Sequence, residues 1–456
     1  MKKEVPIDTV ENGRESWGSR FGFVMATAGF AIGLGNIWRF PYLTGMNGGG
    51  AFLLVYVIIC AVICVPLFMA EVSLGRKTQL NPISGMRKLT KKGSPWVLVG
   101  WFGSFAALLI MSYYLMIIGW IFAYLPKVAL GIFKGASTTE ISTAYSSLIS
   151  NPTIVLLYMV PPAVILGLIV TKGVKEGVEK ASKIMMPVLF VMLVLLAIRS
   201  ITLPGAIEGL KWYLIPDFSK INGTTILAAL GQAFFSVGIG MAAAFTYGSY
   251  LNPKNSNIPG DGAIVVFFDT LIAIVAGLVI FPALFSFDMD PDAGPGLIFL
   301  TMPKLFGQLP GGNLFGLVFF ILLILAALST GVGFVETLSS TTSELFNIKK
   351  KKSVWLTIGI IFVLGIPSVL SQGPWSNILI LGKNLFDLTD FISGNILLPA
   401  GALLLSIYTA YVWKFENYMK DTNIGTNNFK IAKWWKLSVK FVIPVVVAII
   451  LINGLI

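Results

Sequence analysis

The sequence contains no histidine, only two cysteines and few charged residues. It therefore lacks the commonest general base and proton shuttle, and no other soft ligand stands near Cys60 and Cys64 to complete a metal site. Only 12% of the 456 residues are charged, whereas 56% are hydrophobic. A soluble fold cannot cover so much apolar surface, so the composition predicts an all-α membrane protein in the lipid bilayer. No convergent set of nucleophile, base and metal ligands is present, which argues against a membrane enzyme.

Eleven apolar runs are long enough to cross a bilayer, which requires about 20 apolar residues in a helix. These runs are residues 21–43, 51–74, 96–125, 154–170, 177–198, 226–250, 263–287, 314–338, 354–370, 388–413 and 437–456. The polar residues 1–20 lack the pattern of a cleaved signal peptide, so the first run is expected to remain in the mature protein.

The net charge of +12 is distributed unevenly between the two sides of the predicted spans. Of the 33 Lys and Arg residues, 25 fall in the N-terminal segment or in the connections on the same side of the membrane as it, and 7 fall on the opposite side. The remaining one, Arg39, lies inside the first span. This bias predicts a cytoplasmic N-terminus and, after eleven spans, an extracellular C-terminus in the plasma membrane. The lysine run 349–352 then faces anionic lipid, and no nucleic-acid partner is expected.

Glycine-rich stretches interrupt the first and sixth spans, at residues 29–36 and 235–241. Glycines in membrane helices also permit close helix packing, but the two stretches occupy matching positions in two five-span blocks. Because five is odd, the blocks would be inverted repeats, and broken helices at matching positions of such repeats indicate a transporter's binding site. We therefore predict a cytoplasmic segment 1–20, repeats 21–200 and 201–413, and a segment 414–456 containing a cytoplasmic loop and the eleventh helix.

Residues 29–42 and 47–52 resemble the first-span signature of the neurotransmitter:sodium symporters. Further agreement comes from Glu71 with residues 75–76, from residues 113–114, and from residues 232–236 and 326–330. The resemblance covers nearly the whole chain and implies a LeuT-like fold that carries amino acids with sodium by alternating access. A proton-coupled amino acid carrier of the same fold is the alternative. Such carriers place a lysine in span 5, where this sequence has none between Lys183 and Arg199.

The resemblance implies two sodium sites built from oxygen ligands, which hard cations prefer. Site one would use the Ala31 carbonyl, Asn36, Ser236, Asp269 and the substrate's own carboxylate. Site two would use Gly29, Ile32, Ala326, Ser329 and Thr330. Hydroxyls in membrane helices often only bond the preceding turn, and the spacing by itself favours that simpler explanation.

The same resemblance implies a substrate site at the two glycine-rich stretches. Its predicted residues are Phe30, Ala31, Leu34, Gly35, Ile110, Tyr114, Phe235, Ser236, Gly238, Met241, Thr330 and Phe334. The amides of Leu34 and Gly35 with the Tyr114 hydroxyl would hold a carboxylate, and the apolar side chains would select by size and shape. Gly33 stands where monoamine carriers have an acid. The expected substrate is therefore a neutral, hydrophobic or aromatic L-amino acid.

Charged residues near the span ends match the family's gates. Arg39 and Asp390 would form the outer gate as an ion pair, with Phe235 and Tyr114 beneath it. The inner gate would comprise Arg14, Trp17 and Glu344. Gly177 and Pro187 in span 5 match an arrangement associated with unwinding on the inner side.

Asp269 is the most costly charge in the chain because it lies near the inner third of the seventh span. Chloride-dependent relatives have asparagine at the matching position and a chloride ion beside sodium site one, at residues matching Tyr56, Gln232 and Ser236. The carboxylate is therefore predicted to bind sodium and also to replace chloride, which makes transport chloride-independent.

Overall fold

A computed structural model of the protein describes residues 14–254, 256–291, 294–426 and 429–455. These residues form a helical bundle that contains no β-strand. Nine unbroken helices in this part of the chain are long and apolar enough to cross a membrane, and two further spans are broken. In chain order the helices are α1a (Arg20–Ala31), α1b (Gly35–Met46), α2 (Gly50–Thr78), α3 (Pro95–Ala129), α4 (Pro152–Val170), α5 (Val174–Ile201), α6a (Gly223–Val237), α6b (Ala243–Gly248), α7 (Ile258–Ser286), α8 (Gly312–Phe346), α9 (Lys350–Leu370), α10 (Leu385–Val412) and α11 (Trp435–Gly454).

Each of the eleven predicted spans coincides with one of these helices or with a broken pair. The helices extend beyond several of the apolar runs, since α8 continues to Phe346 whereas its run was placed at 314–338. Hydrophobicity marks the stretch in the hydrocarbon, but backbone hydrogen bonding continues into the polar turns at the helix ends. Shorter helices lie in the connections, at Pro82–Leu89, Thr138–Ile149, Ala206–Leu214, Thr301–Gln308 and Phe415–Thr422.

The first span is broken between α1a and α1b, whose axes differ by 48°. Ile32 leaves the helix with an extended backbone, at φ −78° and ψ 95°. The Asn36 side chain accepts the Gly33 N–H at 3.1 Å, and the Thr330 hydroxyl of α8 donates to the Phe30 carbonyl at 2.9 Å. Side chains thus satisfy backbone groups that the break frees, as burial at membrane depth requires.

The sixth span is broken between α6a and α6b by three residues with positive φ. Gly238 (φ 74°) and Gly240 (φ 78°) adopt this conformation freely. Ala242 (φ 62°) adopts it at a cost of about 1 kcal/mol. The Glu71 carboxylate of α2 accepts the Gly240 N–H at 2.6 Å, which fixes the freed backbone from outside the span.

The breaks lie in the interior of the bundle. In α3 and α8, 78% of the most apolar stretch is buried inside the protein. In α11 the buried share is only 17%, so this helix is peripheral. The half-helix α1a packs against α5, α7 and α8, while α6a packs against α2. The long helices therefore form a scaffold around the two interrupted segments.

Candidate functional site

A small cavity lies where the breaks of α1 and α6 meet helices α3 and α8. All twelve residues predicted for the substrate site line this cavity, together with Gly33. Its volume is about 20 Å³, little more than one water molecule requires. An amino acid can enter only if the lining side chains move.

Aromatic rings form the apolar half of the cavity. The Phe30 ring lies edge-on to Phe334, with centroids 5.2 Å apart, and Phe334 lies edge-on to Tyr114 at 6.1 Å. Two glycines contact opposite edges of the Phe30 ring: a Cβ on Gly238 would lie 2.4 Å from its Cε1, and a Cβ on Gly333 would lie 2.3 Å from its Cδ2. The position of Phe30 therefore depends on both residues lacking a side chain.

The polar half of the cavity is formed by the break in α1. The buried Tyr114 hydroxyl lies near the Leu34 amide and the Thr330 hydroxyl, but it makes no hydrogen bond of normal geometry to any described residue. A Cβ on Gly33 would lie 2.3 Å from the Thr330 Oγ1, so an acidic side chain has no room there. An unpaired hydroxyl beside a backbone amide suits an anionic oxygen.

Beside this half lies a buried cluster of Asn36, Ser236 and Asp269, which brings together the side chains predicted for sodium site one. The Asn36 Nδ2 donates to the Asp269 Oδ1 at 2.7 Å and to the Ser236 Oγ at 2.9 Å. The Ser236 hydroxyl donates to the two carboxylate oxygens of Asp269 at 2.9 and 3.0 Å. The Tyr56 hydroxyl lies 3.4 Å from the Asp269 Oδ2.

The charge of this cluster is the feature that fits a cation. Asp269 is fully buried, and it takes part in none of the ion pairs found among the described residues. Its hydrogen-bond partners named above are neutral. A buried carboxylate with no cationic partner is unfavourable in hydrocarbon, and a hard monovalent cation among these oxygens would neutralise it.

The residues predicted for sodium site two converge only in part. The Ser329 hydroxyl lies 3.3 Å from the Ile32 carbonyl and 2.9 Å from the Ala326 carbonyl, and its Cβ lies 3.5 Å from an ideal Cβ on Gly29. These four residues therefore surround one point between α1a and α8. Thr330 is turned away from it, since its hydroxyl donates to the Phe30 carbonyl.

The predicted outer-gate residues share a cavity but do not form an ion pair. The Arg39 Nη1 donates to the Gln232 Oε1 at 3.0 Å, and the guanidinium lies 4.8 Å from the Phe235 ring centre. The Asp390 carboxylate instead accepts the Tyr113 hydroxyl at 2.8 Å. Arg39 and Asp390 both line a cavity of about 460 Å³, and Phe235 lines both this cavity and that of the substrate site. The expected ion pair is thus corrected to two separate contacts, because each residue has a closer polar or aromatic neighbour.

The residues predicted for the inner gate lie close together. Arg14 forms an ion pair with Glu344 and donates through Nη2 to the Ser249 hydroxyl at 2.6 Å. The Trp17 indole N–H donates to the Tyr247 carbonyl at 3.0 Å, and the ring packs edge-on against Tyr247. The start of α1a is therefore held against α6b and α8.

The sequence predicted no function for two buried acids near the site. Glu71 fixes the break in α6 through the Gly240 N–H, and Glu336 accepts the Tyr250 hydroxyl at 2.6 Å beside the inner gate. Both lie inside apolar runs, and the cost of an acid at membrane depth was a usable signal. Gln232, noted only for its place near the chloride position, also donates to the Gly35 carbonyl at 2.7 Å.

Interrupted helices that enclose a buried site inside a membrane bundle define a secondary transporter. The sequence matches the Sodium:neurotransmitter symporter family over residues 14–131 and 139–456, and the chain belongs to this family. It is therefore a multi-pass, sodium-dependent membrane transporter and not an enzyme.

Individual relatives agree with this assignment. The chain is 40% identical to the uncharacterized sodium-dependent transporter YhdH of Bacillus subtilis (strain 168) over 438 residues, covering 96% of this chain and 97% of that protein. It is 33% identical to the uncharacterized sodium-dependent transporter MJ1319 of Methanocaldococcus jannaschii, covering 95% and 89%. The crystal structure of MhsT in complex with L-phenylalanine matches with a TM-score of 0.88 and 39% identity, covering 97% of this chain and all of that one. The fold is LeuT-like, with two inverted five-helix repeats and an eleventh helix.

Proposed function

We propose that this protein is a symporter that couples sodium to the uptake of neutral, hydrophobic or aromatic L-amino acids by alternating access. The observation that carries the proposal is the position of the cavity. An apolar, aromatic half selects the side chain, while a polar half that includes the unpaired Tyr114 hydroxyl adjoins the buried Asp269 cluster. An α-amino acid has the same division into an apolar part and a charged part.

The substrate's backbone groups would bind at the break in α1. The amides of Leu34 and Gly35 and the Tyr114 hydroxyl are placed to hold its carboxylate, which would also complete sodium site one. The carbonyls of Ala31 and Phe235 and the Thr330 hydroxyl would receive its ammonium group. The lack of space beside Gly33 supports a substrate that brings its own negative charge. The relative MhsT was crystallised with such a molecule, L-phenylalanine.

Two sodium ions would drive the cycle. One would bind Asn36, Ser236, Asp269 and the Ala31 carbonyl. The second would bind between α1a and α8, at the carbonyls of Gly29, Ile32 and Ala326 with Ser329 and Thr330, once the Thr330 hydroxyl releases the Phe30 carbonyl. A tenfold sodium gradient with 100 mV of potential supplies about 3.7 kcal/mol per ion, so two ions supply roughly 7 kcal/mol.

The contacts of α5 favour sodium over protons as the coupling ion. A proton-coupled carrier of this fold would place a lysine beside site two. Met186 of α5 packs against Gly29, with its sulfur 3.1 Å from an ideal Cβ on that glycine. A thioether carries no proton, and this supports the sodium-coupled function.

Chloride independence follows from the same cluster. The Asp269 carboxylate lies beside Tyr56 and Ser236, two of the residues that match the chloride position, and it supplies a fixed negative charge there. A mobile anion would be repelled. We further propose that the protein lies in the plasma membrane with its N-terminus cytoplasmic and its C-terminus extracellular, as the distribution of Lys and Arg indicates.

Ligand binding to the purified full-length protein in detergent tests this proposal. Radiolabelled leucine should bind in sodium chloride and equally in sodium gluconate, but not in potassium or choline salts. Unlabelled tryptophan, phenylalanine and leucine should displace it. Displacement by monoamines or charged amino acids at lower concentrations would contradict the substrate assignment, and loss of binding in gluconate would contradict chloride independence.

A further inference from the structure

Glu179 connects α5 to the start of α1a and has no role in the site described above. Its side chain is only 3% exposed. One carboxylate oxygen accepts the Gly18 N–H at 2.7 Å, and the other accepts the Ser19 hydroxyl at 2.9 Å. Ser19 is the N-cap of α1a and accepts the Gly22 N–H at 3.0 Å. Glu179 therefore holds the residues from which α1a begins.

A second carboxylate forms the reverse connection. Glu15, just before α1a, accepts the Val174 N–H at 2.6 Å. Val174 opens α5, and Glu179 ends the wide π-helical turn Val174–Glu179 with which that helix begins. Residues 15–19 therefore hold both ends of this turn. Two carboxylates, one from each segment, bond to backbone or cap groups of the other segment.

The beginning of α5 is a weak part of the helix. It starts with a π-helical turn, which is rare and is found mostly as single turns at functional sites. Gly173 (φ 85°) precedes the turn. Pro187 follows one α-helical turn after Lys183, whose carbonyl it cannot bond. A helix interrupted at both places unwinds at lower cost than the regular helices around it.

Helix α1a fits closely against this segment. A Cβ on Gly22 would lie 2.1 Å from the Glu179 carboxylate, so the two helices are in direct contact. If α1a moves away, Glu179 loses the Gly18 and Ser19 donors and keeps only Lys183, which lies at 2.5 Å on its own helix. A buried carboxylate that loses most of its donors is strongly destabilised unless its own segment also opens to water.

We infer that Glu179 is a positioning residue that couples release of the α1a start to unwinding of the first turns of α5. The two events then occur as one opening step on the inner side of the protein. This inference rests on the proposed alternating-access function, in which the inner gate at Arg14 and Glu344 must open. It adds a connection that runs to α5, whereas the gate itself runs to α6b and α8.

Hydrogen–deuterium exchange of the full-length protein in detergent tests the coupling. Glu179→Ala should speed amide exchange about tenfold or more both in residues 14–24 and in residues 172–186, because hydrogen bonds to a charged group are lost on each side. Glu179→Gln keeps an acceptor for the Gly18 N–H and should return both segments part of the way to wild type. Glu15→Gln should affect the same two segments, but less strongly, because Glu15 is exposed.

Asp261→Asn is the matched comparison variant. Asp261 of α7 holds the same part of α1a through Arg20, with a distance of 2.6 Å from the carboxylate to the Arg20 Nε. This variant loosens α1a but leaves Glu179 in place, so it should speed exchange in residues 14–24 and, through Glu179, in residues 172–186 as well. Added to Glu179→Ala, it should speed exchange further in residues 14–24 only. The inference is overturned if Glu179→Ala affects only one segment, or if Asp261→Asn, with Glu179 in place, affects residues 14–24 alone.

The exchange measurement needs neither sodium nor substrate. Its result therefore separates this inference from the proposed function. A wild-type protein that shows the coupled exchange but no sodium-dependent binding of leucine would contradict the symport proposal alone. A protein that binds leucine with sodium but exchanges the two segments independently would contradict the coupling alone.

Discussion

Adding one methyl group at Gly333 should change which amino acids this protein accepts. Gly333 lies within α8 and contacts one edge of the Phe30 ring, while Gly238 contacts the opposite edge. A Cβ at Gly333 would lie 2.3 Å from the ring, whereas ordinary contact begins at 3.4 Å. Because Gly238 blocks the opposite edge, the ring must move by about 1 Å into the cavity that it lines.

The expected magnitude follows from the size of the cavity. At about 20 Å³ it has no spare room, so a ring displaced into it removes volume that a large substrate requires. Apolar pockets discriminate by about 1 to 3 kcal/mol per methylene. Gly333→Ala should therefore weaken binding of tryptophan and phenylalanine by about 10- to 200-fold relative to binding of alanine. The helix itself should tolerate the change, because alanine is favoured over glycine by about 1 kcal/mol in a helix interior.

Displacement of radiolabelled leucine by tryptophan, phenylalanine and alanine in sodium buffer measures these ratios. Gly359→Ala in α9 is the matched control, because a Cβ there meets no atom within 4 Å, and it should leave the ratios unchanged. Melting temperatures of both variants exclude misfolding. An unchanged ratio of tryptophan to alanine in Gly333→Ala would refute the proposed position of the substrate side chain beside Phe30.

Three further substitutions test the polar half of the site. Asp269→Asn should make sodium-driven uptake dependent on chloride, because the fixed negative charge beside Tyr56 is lost; equal uptake of the variant in chloride and gluconate would count against this role. Tyr114→Phe should weaken amino acid binding about 10- to 100-fold, the effect of losing a hydrogen bond to a charged group, with little change in melting temperature because the hydroxyl is unpaired. Wild-type affinity in that variant would remove Tyr114 from the site. Gly33→Asp should abolish sodium-dependent leucine binding, because its Cβ would meet the Thr330 hydroxyl at 2.3 Å; retained binding would place the carboxylate elsewhere.

The membrane spans and the helix breaks could be predicted from the sequence, because hydrophobic runs and glycines determine them. The apolar runs located the spans, and the glycines at 33, 35, 238 and 240 located the two breaks. The family signature covers these breaks, so the residues that it matched were expected to lie together. This explains why all twelve predicted substrate residues line one cavity.

Pairings between side chains were harder to predict. Arg39 and Asp390 were expected to form an ion pair, but the structure gives them Gln232 and Tyr113 as their respective partners. Placement on neighbouring helices follows from the fold. The choice among several nearby acceptors depends on side-chain rotamers and on packing against Phe235, and sequence spacing contains neither.

Hydrogen bonds from a side chain to a distant backbone N–H could not be predicted from the sequence, because the residue that supplies the N–H shows no sequence pattern. Glu71 and Glu179 bond to the N–H groups of Gly240 and Gly18, which lie 169 and 161 residues away. Any residue but proline offers the same donor, so the sequence cannot identify which one is used. The acids themselves were visible as costly charges in or beside apolar runs, which is the warning that a partner exists.

Sodium-driven accumulation of amino acid in proteoliposomes tests the central claim most directly. Purified protein is reconstituted, the membrane potential is clamped, and labelled leucine uptake is compared under an inward sodium gradient and under an inward proton gradient without sodium. The sodium gradient should drive leucine above its external concentration, in chloride and in gluconate alike, and the proton gradient should not. Accumulation driven by protons in the absence of sodium, with no stimulation by sodium, would contradict the account.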